Sequence, residues 1–93
     1  MQFWDLHCDT ITECKKHGYS LMDNPLHLDL KRGSIFDAWV QTYAIWIPDT
    51  LRGDAAWQYY AENRDFFHRQ SARYGVAVCC SFAQLDAAVR ATA

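Results

Sequence analysis

The sequence lacks most of the features that announce a function. It has no excess of charge of either sign: nine Lys and Arg stand against eleven Asp and Glu, a formal net charge of -2. That balance excludes the strongly basic footprint of a nucleic-acid binder. No apolar run approaches the ~20 residues that a membrane-spanning helix needs. The opening Met1-Gln2-Phe3-Trp4-Asp5 has neither the basic start nor the apolar stretch of a secretory signal, so the expected location is cytoplasmic. Four glycines and two prolines leave no linker or low-complexity segment, and there are no internal repeats. There is no Gly-rich phosphate loop and no Gly-x-Ser-x-Gly elbow. The cysteines are Cys8, Cys14, Cys79 and Cys80, and they have no zinc-finger spacing. Adjacent Cys79 and Cys80 are awkwardly placed to bridge each other. All four read as reduced thiols, mostly buried as small hydrophobes.

What is present points to a folded chain. A hydrophobic fraction of 51% with 22% charged residues belongs to a soluble globular protein rather than a disordered one. Ninety-three residues allow one small domain. Four Trp, five Tyr and five Phe are many large aromatics for this size, because a small domain buries only ~60% of its unfolded surface. The excess points to a piece of something larger or to an oligomer.

Periodicity predicts the elements. Residues 3–9 alternate, with Trp4, Leu6 and Cys8 on one face and Asp5, His7 and Asp9 on the other, the signature of a strand. Thr10-Ile11-Thr12-Glu13 fits a capping box, so a helix starts directly after Asp9 and Gly18 ends it, with Lys15, Lys16 and His17 near its negative end. Residues 19–33 read as a loop, with turn signals at Asp23-Asn24-Pro25 and Lys31-Arg32-Gly33-Ser34. Residues 38–47 are the best second strand, closed by Pro48. Their near-continuous apolar character predicts cover on both faces, and Gln41 then needs hydrogen-bond partners. Asp54 is placed to cap a long helix over 55–74 that Gly75 ends. Its apolar face carries Ala56, Tyr59, Tyr60, Phe66 and Phe67, interrupted by Asn63. Residues 76–80 read as a short strand, and Ser81-Phe82-Ala83-Gln84 opens a last helix with a second capping box. Strands alternating with helices predict an α/β fold with parallel strands.

One constellation carries chemistry. In Asp5-Leu6-His7-Cys8-Asp9-Thr10, residues two apart on a strand point the same way, ~6–7 Å apart. His7 and Asp9 can therefore aim an imidazole nitrogen and a carboxylate at one ion, a donor set that suits zinc. The same spacing also describes an ordinary polar strand edge, and two ligands fall short of the three that a catalytic zinc keeps. His27-Leu28-Asp29 repeats the spacing in a turn-rich segment and reads as structural. His17 and His68 read as surface residues on helices.

These segments together resemble a known family. Asp5-Leu6-His7-Cys8-Asp9-Thr10 resembles the Asp-x-His-x-Asp opening of the membrane (renal-type) dipeptidases, a family of zinc peptidases. His27-Leu28-Asp29-Leu30-Lys31-Arg32-Gly33 is similar to that family's second segment, and Val40-Gln41-Thr42-Tyr43-Ala44-Ile45-Trp46-Ile47 to its second strand. The resemblance spans essentially residues 1–93. It implies the N-terminal portion of a metal-dependent-hydrolase (β/α)8 barrel, in which dipeptides are hydrolysed by water activated at a two-zinc centre. It makes His7 and Asp9 first-strand ligands of one zinc, at the barrel mouth where such folds keep their chemistry. A complete barrel takes roughly 250 residues, so the chain covers about a third of one. The family's bridging carboxylate, its later His ligands and its substrate-holding Arg have no counterparts here. Glu13 is explained as a cap and Glu62 lies mid-helix, so neither takes the bridging role, and no catalytic or substrate-binding residue is assigned.

The expected function is thus zinc-dependent dipeptide hydrolysis, with this chain inactive alone and prone to self-association or a homo-oligomer through open strand edges. Two alternatives stand beside it: a small non-catalytic α/β binding module, and another amidohydrolase-type metal hydrolase sharing the first-strand motif.

Overall fold

A computed structural model describes residues 1–91. Two strands, β1 (Gln2–Cys8) and β2 (Ala38–Tyr43), pair in parallel, with Gln2 opposite Ala38, Phe3 opposite Trp39, Trp4 opposite Val40 and Asp5 opposite Gln41. Parallel strands require a crossover. It is made by α1 (Thr10–His17), an irregular segment and the single turn α2 (Leu30–Gly33). A long helix, α3 (Gly53–Tyr74), and a shorter one, α4 (Phe82–Ala91), follow. The result is a small mixed α/β unit whose sheet has two strands among the described residues. No described helix is long and apolar enough to cross a membrane.

The helix stops follow the sequence signals. Gly18 and Gly75 adopt left-handed φ values of 72° and 70°, a conformation glycine reaches without a Cβ penalty. Each returns its N–H to a carbonyl of the last turn, Cys14 for α1 and Ser71 for α3. At the start of α4 the Gln84 N–H donates to Ser81 Oγ at 3.2 Å, and Gln84 Oε1 accepts the Cys80 N–H at 2.7 Å. This second capping box closes one residue earlier than the usual reciprocal bond.

Other boundaries differ from expectation. Asp9, not Thr10, is the N-cap of α1, and its side chain makes no capping bond. Thr10 is instead buried inside the first turn, and Thr12 Oγ1 donates to the Asp9 carbonyl at 3.0 Å. The long helix starts at Gly53, with Arg52 as a cap that makes no side-chain bond. Asp54 stands in the first turn, where its charge meets the positive helix end. The second strand ends at Tyr43 rather than 47: the Ala44 N–H donates to the Cys8 carbonyl at 2.9 Å, and β1 offers no further ladder because Asp9 has turned into α1. Residues 76–80 form no strand, for the same reason that no described strand lies beside them.

The core is small and lies between α1, the following segment and α3. Ile11, Cys14 and Leu21 are fully buried. Asn63, expected to interrupt the apolar face of α3, sits at the centre of the buried face with Ser71. Its Nδ2 donates to the Tyr59 carbonyl at 2.9 Å. The expected cover of the sheet is only partly present. Cys8 is buried, but Trp4 and Leu6 on the same predicted face are 51% and 83% exposed, and Trp46 and Trp57 are also open to solvent.

Candidate functional site

The site is built at the C-terminal end of β1. Between Asp5 and Cys8 the pairing register slips, so β1 carries one more residue than β2 there. Such irregularities bend a strand and re-aim side chains. His7 lies within this irregular stretch, and Asp9 follows at the strand-to-helix turn. Because the Asp9 carboxylate is not spent on capping α1, it is free to meet His7: His7 Nε2 and Asp9 Oδ1 stand 3.2 Å apart. Both side chains are well exposed, at 66% and 61%.

That separation suits a shared ion. Two ligand atoms at ~2.0–2.1 Å from a tetrahedral zinc lie ~3.3–3.4 Å from each other. It also permits a direct hydrogen bond between the two side chains, at the long end of the usual range. His7 and Asp9 therefore fit zinc as a two-ligand set. Among the described residues, no group of three or more His, Cys, Asp or Glu is gathered to hold a metal ion.

An open hollow of about 640 Å³ lies beside the pair. Asp5, His7, Asp9 and Glu13 line one side, and residues 25–28 line the other. Asp5 does not orient His7. Its Oδ2 accepts Gln41 Nε2–H at 2.6 Å, and Gln41 Oε1 in turn accepts Trp39 Nε1–H at 3.0 Å. The partners that Gln41 needs are thus supplied across the strand pair and along β2.

The second His-x-Asp has a different fate. Asp29 is 2% exposed. It caps α2 by accepting the Arg32 N–H at 2.7 Å, accepts the Asn24 N–H at 3.2 Å, and pairs with Arg32 Nε at 3.0 Å. Burial alone would raise its pKa. The backbone amide and guanidinium of Arg32, with the Asn24 amide, outweigh burial and hold the carboxyl below its ordinary value. Arg32 also donates to the Asn24 and Leu26 carbonyls, so one ion pair ties the whole turn. The structural reading holds for Asp29. His27 is exposed and lines both this hollow and a smaller one beside Phe36 and Trp39. The sequence offered one signal for that placement: Asp29 and Arg32, three residues apart, fix the turn that carries His27.

The remaining candidates lie elsewhere. Glu13, read as a cap, instead pairs with His17 at 3.3 Å while lining the hollow. His17 stacks on Tyr19 at the surface, and His68 is exposed against Phe67. Glu62 accepts from Gln58 and pairs with Lys15 of α1 at 3.8 Å. Burial pushes the Cys8 thiol up, and pushes that of Cys14 to about 11, which keeps both protonated and inert at neutral pH.

Comparison with known proteins finds no match for the chain among family models, curated proteins or solved structures.

Proposed function

We propose that this chain supplies the first-strand ligands of a zinc-dependent dipeptide hydrolase resembling the membrane dipeptidases, as the N-terminal portion of a (β/α)8 barrel. The observation that carries the reading is the His7–Asp9 pair, 3.2 Å apart at the C-terminal end of the first parallel strand. That end of the strand is where barrel enzymes assemble their sites. The parallel pairing of β1 and β2 across a helical crossover supports the reading, because it is the repeating unit of such a barrel.

In this reading His7 Nε2 and Asp9 Oδ1 hold one zinc, and the other ligands come from outside the described residues. When bound, zinc supplies a Lewis acid that acidifies water and polarises the carbonyl of a scissile peptide bond. The side chains here bind and orient. The Asp5–Gln41–Trp39 chain fixes the wall of the hollow, and the Asp29–Arg32 clamp sets residues 25–28 opposite the pair. The exposed Trp4, Leu6 and Trp46 are surfaces that further barrel elements would cover.

The same exposed aromatics also favour a second reading, a small binding module that uses them as an interface. The two readings part on zinc. Expressed as the complete open reading frame that encodes residues 1–93, the protein is expected to contain zinc and to hydrolyse dipeptides, whereas the 93-residue chain alone hydrolyses none. His7→Ala and Asp9→Ala in the complete protein should each lose zinc and dipeptide turnover. Undiminished zinc and turnover in both variants would remove the pair from the site. Two-state unfolding of the isolated chain, as a clean monomer without zinc, would favour the binding module.

A further inference from the structure

Three carboxylates line the hollow beside the His7–Asp9 pair, and each is committed differently. Asp9 Oδ1 stands 3.2 Å from His7 Nε2. Glu13 Oε2 pairs with His17 Nε2 at 3.3 Å, one turn along α1. Asp5 is half-buried and held by one oxygen: its Oδ2 accepts the Gln41 Nε2–H at 2.6 Å. Gln41 cannot swing away easily, because its Oε1 accepts the Trp39 Nε1–H at 3.0 Å and its Nε2 also reaches the Thr42 carbonyl at 3.3 Å. Asp5 Oδ1 accepts no hydrogen bond among the described residues. Across the hollow, Pro25, Leu26 and Leu28 form an apolar wall.

We infer that Asp5 reads the free ammonium group of the substrate, so that the hollow takes the amino end of a dipeptide whose first side chain is apolar. The inference deepens the dipeptidase reading and rests on it. A carboxylate fixed through one oxygen presents the other in a set direction, and such a preorganised, charged acceptor suits an ammonium donor. Charge sets the orientation of the substrate. A substrate carboxylate at this wall would meet Asp5 and Glu13 as like charges, whereas an ammonium meets opposite ones. Distance agrees with charge. Asp5 and His7 line the same hollow two residues apart on β1, ~6–7 Å along an extended strand. In a dipeptide the ammonium and the scissile carbonyl are attached to the same Cα. A carbonyl beside the His7–Asp9 pair thus brings the ammonium within hydrogen-bond reach of Asp5, and Leu26 and Leu28 face the first side chain.

The test is calorimetric binding to the complete protein with the zinc it carries. The probes are leucinamide and 4-methylpentanamide, which differ only in the amino group. Wild type should bind leucinamide about 10- to 100-fold more tightly, the range of one hydrogen bond to a charged group. Asp5→Asn should abolish that difference while keeping the wild-type zinc content and helical circular dichroism. Glu13→Gln should retain it. Equal binding of the two probes by wild type would overturn the inference. So would a preference that survives Asp5→Asn, or one that disappears in Glu13→Gln. Failure of the underlying reading has a separate signature: a complete protein that holds no zinc and does not hydrolyse Leu-Gly would overturn the dipeptidase assignment itself.

Discussion

Two segments of this chain share one spacing and make opposite use of it. In His7-Cys8-Asp9 the carboxylate is 61% exposed and meets an equally open imidazole at 3.2 Å. In His27-Leu28-Asp29 the carboxylate is 2% exposed and is held by two backbone amides and a guanidinium. The distinction comes from the following residues. After Asp9 the chain enters an eight-residue helix that Asp9 starts without capping, so its carboxylate remains available. After Asp29 comes a single turn whose Arg32 returns to the same carboxylate, so three of its roughly four acceptor sites are committed. A carboxylate with unspent lone pairs in solvent can take a new ligand at small cost. One whose bonds tie Asn24 to Arg32 across otherwise irregular chain cannot.

The sharpest way to break this comparison is to remove the committed carboxylate. Asp29→Ala leaves the amides of Asn24 and Arg32 without their acceptor and the guanidinium without its counter-ion. Loss of a buried, charge-assisted cluster of this kind costs about 3 kcal/mol, held to the low end because Arg32 itself reaches solvent. Urea denaturation followed by circular dichroism measures it. A loss under about 1 kcal/mol would mean that the turn is held by something other than this ion pair.

Gly33, at the end of the same turn, gives the next effect. A Cβ there would run into the six-membered ring of Trp39. Gly33→Ala must therefore displace the indole, which costs about 1–3 kcal/mol as overpacking and pulls Trp39 Nε1 from Gln41 Oε1. Tryptophan fluorescence should shift along with the loss of stability. An unshifted spectrum would show that the ring accommodates the methyl without leaving Gln41.

Acid provides a gentler probe. The folded Asp29 carboxyl is held below its ordinary value, so its contribution is complete above the unfolded carboxylate pKa of ~3.9. It is lost as pH falls from there through the folded value, because the unfolded chain takes up the proton first. Stability should decline below about pH 4. The decline should flatten in Asp29→Asn, which has no proton to take up; equal slopes for the two proteins would assign the acid sensitivity to other carboxylates.

How far the sequence was legible follows the same physics. Capping glycines and the Ser81 box have strictly local causes, and Gly18, Gly75, Ser81 and Gln84 stand in or next to their expected roles. The first strand was legible because period two is a property of the backbone; His7 and Asp9 meet by another route, through the irregularity in β1 and the turn into α1. The end of the second strand was not, because residues 44–47 are as apolar as those before them and only the lack of a neighbour ends the ladder. The same holds for residues 76–80. At the site, the pair was legible but its surroundings were not. Glu13 suited a cap on local grounds, yet Asp9 holds the cap position and Glu13 turns to His17. Asp5 shared the predicted face of His7, yet Gln41, its partner across the sheet, takes its carboxylate. Local signals predict a bond only where no distant partner competes for the same atoms.

The smallest effect on stability is expected where the functional stake is greatest. His7 and Asp9 are exposed, and an exposed ion pair contributes ~0–1 kcal/mol, screened further by salt. His7→Ala should therefore leave the urea midpoint of the chain within about 0.5 kcal/mol of wild type, as is usual for open surface positions. His27→Ala should do the same, since Asp29 rather than His27 carries its turn. Equal and negligible costs at His7 and His27, against a large cost at Asp29, would separate the open pair from the committed one by stability alone. A cost above about 1 kcal/mol at His7 would exceed what an exposed pair supplies. It would mean that the β1 irregularity depends on the imidazole, and that the 3.2 Å contact is part of the fold before it is a place for an ion.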